Sequence, residues 1–77
     1  MNILKRKEMN ESFVLYSYQP EGKGKAGEVM YNFDEHAAKI VKRAEEASDW
    51  YANKALLKII GLANNKEYPA KIMQAWY

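Results

Sequence analysis

Two stretches of the chain carry the signature of β-structure before anything else is considered. Residues 12–18, Ser-Phe-Val-Leu-Tyr-Ser-Tyr, are rich in β-branched and aromatic side chains, the types that fit a pleated, half-buried surface. Residues 28–33, Glu-Val-Met-Tyr-Asn-Phe, alternate. A strand there puts Val29, Tyr31 and Phe33 on one face and Glu28, Met30 and Asn32 on the other. Between them lies Gln19-Pro20-Glu21-Gly22-Lys23-Gly24-Lys25-Ala26-Gly27, whose glycines and proline mark a loop. Together these predict an antiparallel hairpin, 12–18 with 28–33.

The clearest helix is 49–64. Ser48 or Asp49 can cap it, and Ala52, Ala55, Leu56, Ile59, Ile60 and Ala63 recur at helical spacing as one apolar stripe. Leu57 falls in the polar sector of that helix and is expected to be an exposed apolar residue. Leu56, Ile59 and Ile60 are expected to meet Val29, Tyr31 or Leu15. Residues 34–48 read two ways. As a helix, Asp34 caps a stripe of Ala37, Ile40, Val41, Ala44, Ala47 and Ser48, favoured by alanine, lysine and glutamate content. As a strand, residues 37–43 follow a turn at Asp34-Glu35-His36. Residues 70–76 read as a last strand or a short helix, with the strand preferred because a proline precedes it and Trp-Tyr ends it.

Composition bounds the class. The 77 residues are 48% hydrophobic and 29% charged, ordinary for a globular domain, and the length suits a single small domain, 1–77. There is no cysteine, so neither a disulfide nor a thiolate metal site is available. The net charge is +2, concentrated at Lys5-Arg6-Lys7. Residues 8–77 hold nine basic and ten acidic residues. Residues 1–11 are polar and basic and are expected to fray. No apolar run follows the basic start, since Glu8, Asn10, Glu11 and Ser12 interrupt, and none reaches membrane-spanning length. The expected location is cytoplasmic, with no membrane association.

Candidate chemistry is sparse. Gly22-Lys23-Gly24-Lys25-Ala26-Gly27 matches Gly-x-Gly-x-x-Gly, but a dinucleotide site needs that loop to open a helix. Here a strand pattern follows, so the segment reads as a hairpin tip whose amides and lysines offer at most a weak anion contact. His36 is the only histidine, and adjacent Asp34-Glu35-His36 cannot converge on a metal from a regular element. Ser12, Ser17 and Ser48 lack a base and a nucleophile elbow. These readings give no catalytic residue, no metal and no cofactor.

Tyr16-Ser17-Tyr18-Gln19-Pro20-Glu21-Gly22-Lys23-Gly24, Gly27-Glu28-Val29, Trp50-Tyr51-Ala52-Asn53-Lys54-Ala55 and the close Pro69…Ala75-Trp76-Tyr77 resemble a group of small uncharacterised bacterial proteins. The resemblance covers about half the chain. It implies a short strand before the Tyr-Ala-x-x-Ala helix and carries no assigned activity.

The fold expected is α+β: a small antiparallel sheet packed against one helix. The function expected is a non-catalytic protein-interaction module, self-associating or binding another protein, through a surface including Tyr16, Tyr18, Tyr31, Leu57, Trp76 and Tyr77. Large aromatics are common interface anchors. The alternative, from another class, is weak binding of single-stranded nucleic acid or another anion. It would use Lys5, Arg6, Lys7, Gly22, Lys23, Gly24 and Lys25 with the hairpin tyrosines as stacking platforms.

Overall fold

A computed structural model describes residues 1–45 and 47–75. It contains five antiparallel strands and one helix: β1 (Asn2–Met9), β2 (Phe13–Pro20), β3 (Gly27–Asn32), β4 (Ala37–Lys42), α1 (Asp49–Asn65) and β5 (Lys71–Gln74). The sheet order is β4-β3-β2-β1-β5. The expected hairpin is present as β2 and β3, with Tyr16 opposite Val29 and Tyr18 opposite Gly27. The glycine-lysine segment is the loop at its tip.

The start of the chain departs from expectation. Residues expected to fray form β1, which pairs on one side with β2 (Leu4 opposite Tyr18) and on the other with β5 (Leu4 opposite Ile72). Its sequence looks like a polar tail because only Asn2 and Leu4 face the core, and both are fully buried. Lys5, Lys7 and Glu8 stand on the opposite side. A strand needs few apolar residues when its backbone is paired on both edges.

The ambiguous segment is a strand. Residues 37–42 form β4, with Val29 opposite Ile40 and Tyr31 opposite Ala38. The helical alternative fails although propensity favours it, because the edge of β3 offers a row of unpaired backbone groups that residues 37–42 satisfy. Asp34 therefore caps no helix. It lies in the β3–β4 turn, where Asn32 Oδ1 accepts from the Glu35 amide at 2.9 Å and His36 adopts a left-handed φ of 52°. A bulge at Glu28/Val29 in this pairing spoils the period-2 pattern of residues 37–42.

Helix α1 begins at Ser48, whose side chain accepts from the Trp50 amide. It ends at Lys66 in the left-handed conformation, whose amide reaches the Ala63 carbonyl. Its course across the sheet is set by side chains from β1 and β5. Asn2 Nδ2 donates to the Tyr51 carbonyl at 2.9 Å and Gln74 Nε2 donates to the Lys54 carbonyl at 2.8 Å. The first turns are thus tied to β1 and β5, while most of the helix's packing is on β3 and β4. The core comprises Leu4, Val14, Tyr16, Tyr18 and Val29 from the sheet and Ala52, Ala55, Ile59 and Leu62 from α1. Two expectations shift here. Leu62 takes the place of Ile60, which is 40% exposed. Leu15 points to the other face of the sheet, between buried Val14 and Tyr16. The two alanines explain the rotation, because they let α1 approach the bulky rings of Tyr16 and Tyr18.

Those rings are bonded at their polar ends. Tyr16 donates to the Pro69 carbonyl at 2.6 Å and Tyr18 accepts from the Ala44 amide at 2.9 Å. Burial pushes the Tyr16 hydroxyl above the ordinary tyrosine value, more than Arg6 lowers it. Tyr51 is pushed up by its hydrogen bond to the Glu21 carboxylate, and Tyr68 by desolvation. A native state that holds protons more tightly than the unfolded chain is favoured below the unfolded pKa and loses that advantage as pH rises through the folded one. Stability should therefore be flat on the alkaline side up to about pH 10 and fall above it. Tyrosinate absorbance at 295 nm should appear together with loss of the far-ultraviolet circular dichroism. Full ionisation of all tyrosines with the fold intact would contradict the burial of Tyr16.

Candidate interaction surface

With α1 on one side only, the other face of the sheet is open. Register places on it Ile3 and Met73 from β1 and β5, and Phe13, Leu15 and Met30 from β2 and β3. Between these two apolar groups runs a polar row across all five strands: Lys71, Lys5, Ser17, Glu28 and Lys42. Lys39 stands opposite Met30, and Glu8 opposite Leu15. Lys7, the extra residue at a bulge in β1, pairs its ammonium with Glu28. Lys5, Lys39, Lys42 and Lys71 are exposed and have no ion pair among the described residues.

The charge on this face is unbalanced. It holds Lys5, Lys7, Lys39, Lys42 and Lys71 against Glu8 and Glu28, an excess of three positive charges, while the whole chain carries +2. The basic character that the sequence concentrates in a terminal tip thus belongs to a sheet face, supplied by β1, β4 and β5 together.

The residues expected to mark function are dispersed. Tyr16 and Tyr18 are 0% and 2% exposed, so they cannot form an interaction surface. They do share a face with Tyr31, as their spacing implied, but it is the face that α1 covers. Tyr31 is half-buried and packs its ring near Phe33, which in turn meets Tyr68 edge-on at 5.6 Å. Leu57 is exposed at 64% as expected, on the outer side of α1 away from the sheet. Trp76 and Tyr77 lie outside the described residues.

The expected anion contacts also separate. Lys5 and Lys7 are on the open face, whereas Arg6 points the other way and donates to the Tyr68 carbonyl at 2.7 Å. Gly22, Lys23, Gly24 and Lys25 sit at the hairpin tip beside Asn2, the far end of β1 from Lys7. Lys25 lies 3.6 Å from Glu45, and Gln19 donates to the Gly24 carbonyl. Glu21 in the same loop meets the Met1 amino group and the Tyr51 hydroxyl, which hold its carboxyl below the usual value. The tip is bound up in internal contacts and is not one continuous basic surface with Lys5 and Lys7.

Sequence reasoning missed Ile3, Phe13, Leu15, Met30, Lys39, Lys42, Lys71 and Met73 as a surface. The signal was present in principle. Placing residues 2–9, 37–42 and 71–74 as strands would have brought their lysines into register across the hairpin.

Two concavities lie elsewhere. One, about 340 Å³, is lined by Tyr31, Phe33, His36, Ala63, Lys66 and Tyr68. The other, of similar size, lies between the hairpin tip and the start of α1. Among the described residues no group of three or more His, Cys, Asp or Glu side chains could hold a metal, and no helix is long and apolar enough to cross a membrane. No family model, curated protein or solved structure matches the chain.

Proposed function

We propose that this chain is a non-catalytic protein-interaction module whose contact surface is the open face of the sheet. The observation that carries the reading is the make-up of that face. A solvated sheet face is normally polar throughout. This one has two apolar groups separated by a charged row. Apolar surface rimmed by polar residues is a feature of interaction sites; here Ile3, Phe13, Leu15 and Met30 are half-buried and Met73 is exposed. Met73, 63% exposed in the edge strand β5, has no packing role that would account for it.

The excess of lysine favours a second reading, a single-stranded nucleic acid held on the same face. Stacking platforms are the difficulty. Of the aromatic residues in the sheet only Phe13 lies on the open side, and base stacking is the main sequence-tolerant attraction for single strands.

A photo-crosslinking amino acid at Met73 checks the first reading whatever the partner is. It should trap a protein in cells that express the chain, while the same group at Leu57 should not. Trapping at Leu57 alone, or no adduct from Met73, would remove the open face from consideration.

A further inference from the structure

The geometry points to a partner of defined chemistry: an acidic amphipathic helix, about as long as α1, lying across the open face. This rests on the reading of that face as the contact surface.

The first ground is a defect in the sheet itself. Lys5 and Lys71 are directly opposite each other in the β1–β5 register, and like charges so placed destabilise a sheet. Nothing among the described residues neutralises either one. Glu28 is engaged by Lys7, and Glu8 is placed beside Leu15, towards the far end of β1 from the β5 pairing. A local conflict of this kind in an otherwise consistent fold is expected where function requires it. An acidic partner resolves it, since one carboxylate between the two ammonium groups turns repulsion into attraction.

The second ground is spacing. Ile3 is opposite Gln19, four residues or about 13 Å along β2 from Leu15. The Ile3–Met73 pair is centred two strands, about 10 Å, across from Leu15–Met30, so the two apolar groups are about 16 Å apart. That is roughly three turns of helix, about eleven residues. A helix with apolar residues three turns apart and glutamates between them would meet Ile3 and Met73 at one end, Leu15 and Met30 at the other, and Lys5 in the middle, with Lys71 and Lys42 flanking it from the outer strands. The sheet spans about 19 Å between its outer strands, and α1, at 17 residues or about 25 Å, already covers the opposite face. A second helix of that length would cover the open face as α1 covers the other.

Charge also decides against a second copy on this face. Stacking two identical open faces sets one excess of lysine against another, and only Glu8 and the already paired Glu28 are there to offset it.

The test uses three fluorescently labelled probes against the full chain. One is a 15-residue helical peptide with leucines three turns apart and glutamates between. The second has those glutamates replaced by lysine. The third is a ten-nucleotide oligo-dT. The acidic peptide should bind, and its affinity should fall with added salt, as exposed charge pairs are screened. Lys71→Glu should weaken it about five- to tenfold, yet raise the melting temperature of the free protein by about 1–5 °C, because the clash with Lys5 is gone. Lys5→Glu should do the same, and Lys58→Glu, on α1, should leave affinity unchanged. Tighter binding of the lysine peptide, or of oligo-dT, would overturn the inference, as would concentration-dependent dimerisation abolished by Met73→Glu. If Met73 crosslinks a protein in cells while the acidic peptide fails to bind, the surface stands and the partner chemistry is wrong. If neither occurs, both are wrong.

Discussion

Ile59→Ala is expected to destabilise the protein by about 2–5 kcal/mol. Ile59 is fully buried and is the largest fully buried side chain that α1 contributes to the core. It belongs to one core cluster with Leu4, Val14, Tyr16, Val29 and the alanines of its own helix. A close-packed core of this kind relaxes only partly into the space left by three carbons. A chain of 77 residues has about 4–12 kcal/mol of stability in all, so the variant should be at or near the edge of unfolding at 37 °C. Chemical denaturation read by circular dichroism measures this. A midpoint unchanged from the parent would show that α1 does not pack as described. Leu57→Ala, on the exposed side of the same helix, should change the midpoint little, within about 0.5 kcal/mol.

Gly27→Ala should be comparably severe although it adds one methyl group. Gly27 opens β3 and lies directly opposite Tyr18. A Cβ there would meet the Tyr18 ring on one side and, at 2.6 Å, the backbone nitrogen of Ala44 on the other. Real Cβ atoms do not approach a backbone nitrogen that closely, and Ala44 N is the atom whose hydrogen bond holds the Tyr18 hydroxyl. The added methyl must therefore push the ring off its partner or move the segment joining β4 to α1. Overpacking of this kind costs typically about 1–3 kcal/mol, and separating the hydrogen bond adds about 1 kcal/mol. Gly24→Ala in the same loop is a useful contrast. Gly24 has a φ of 74° but open space at its Cβ, so only backbone strain of about 1 kcal/mol applies. A Gly27→Ala variant as stable as the parent would mean that Tyr18 and Ala44 are not in contact.

What could be read from the chain followed the strength of local pattern. The hairpin was legible because Phe13–Tyr18 and Val29–Phe33 alternate around a glycine-rich tip. Helix α1 was legible because Ala52, Ala55 and Ile59 recur at helical spacing behind a serine cap. Its rotation was not, since Ile60 and Leu62 are equally apolar and only the approach of the alanines to Tyr16 and Tyr18 decides between them. Strand β1 was illegible because Lys5, Arg6 and Lys7 look like a solvated tail until β5, at the other end of the chain, pairs with it. Residues 37–42 misled because alanine and lysine prefer helix, while the waiting edge of β3 is a tertiary fact. The candidate surface suffered most. Tyrosines were the conspicuous residues, but Tyr16 and Tyr18 belong to the core. The open face is assembled from lysines and methionines on strands whose pairing is long-range.

Methyl chemical-shift mapping tests the central claim most directly. With methyl groups labelled throughout and the acidic peptide added, Ile3, Leu15, Met30 and Met73 should shift together and saturably. Ile59 and Leu62 in the core, and Leu57 on the outer side of α1, should stay in place. Shifts centred on Leu57 and Ile60, with Leu15 and Met30 unmoved, would contradict the account, because the partner would then bind the helix and the open face of the sheet would be only a solvated surface.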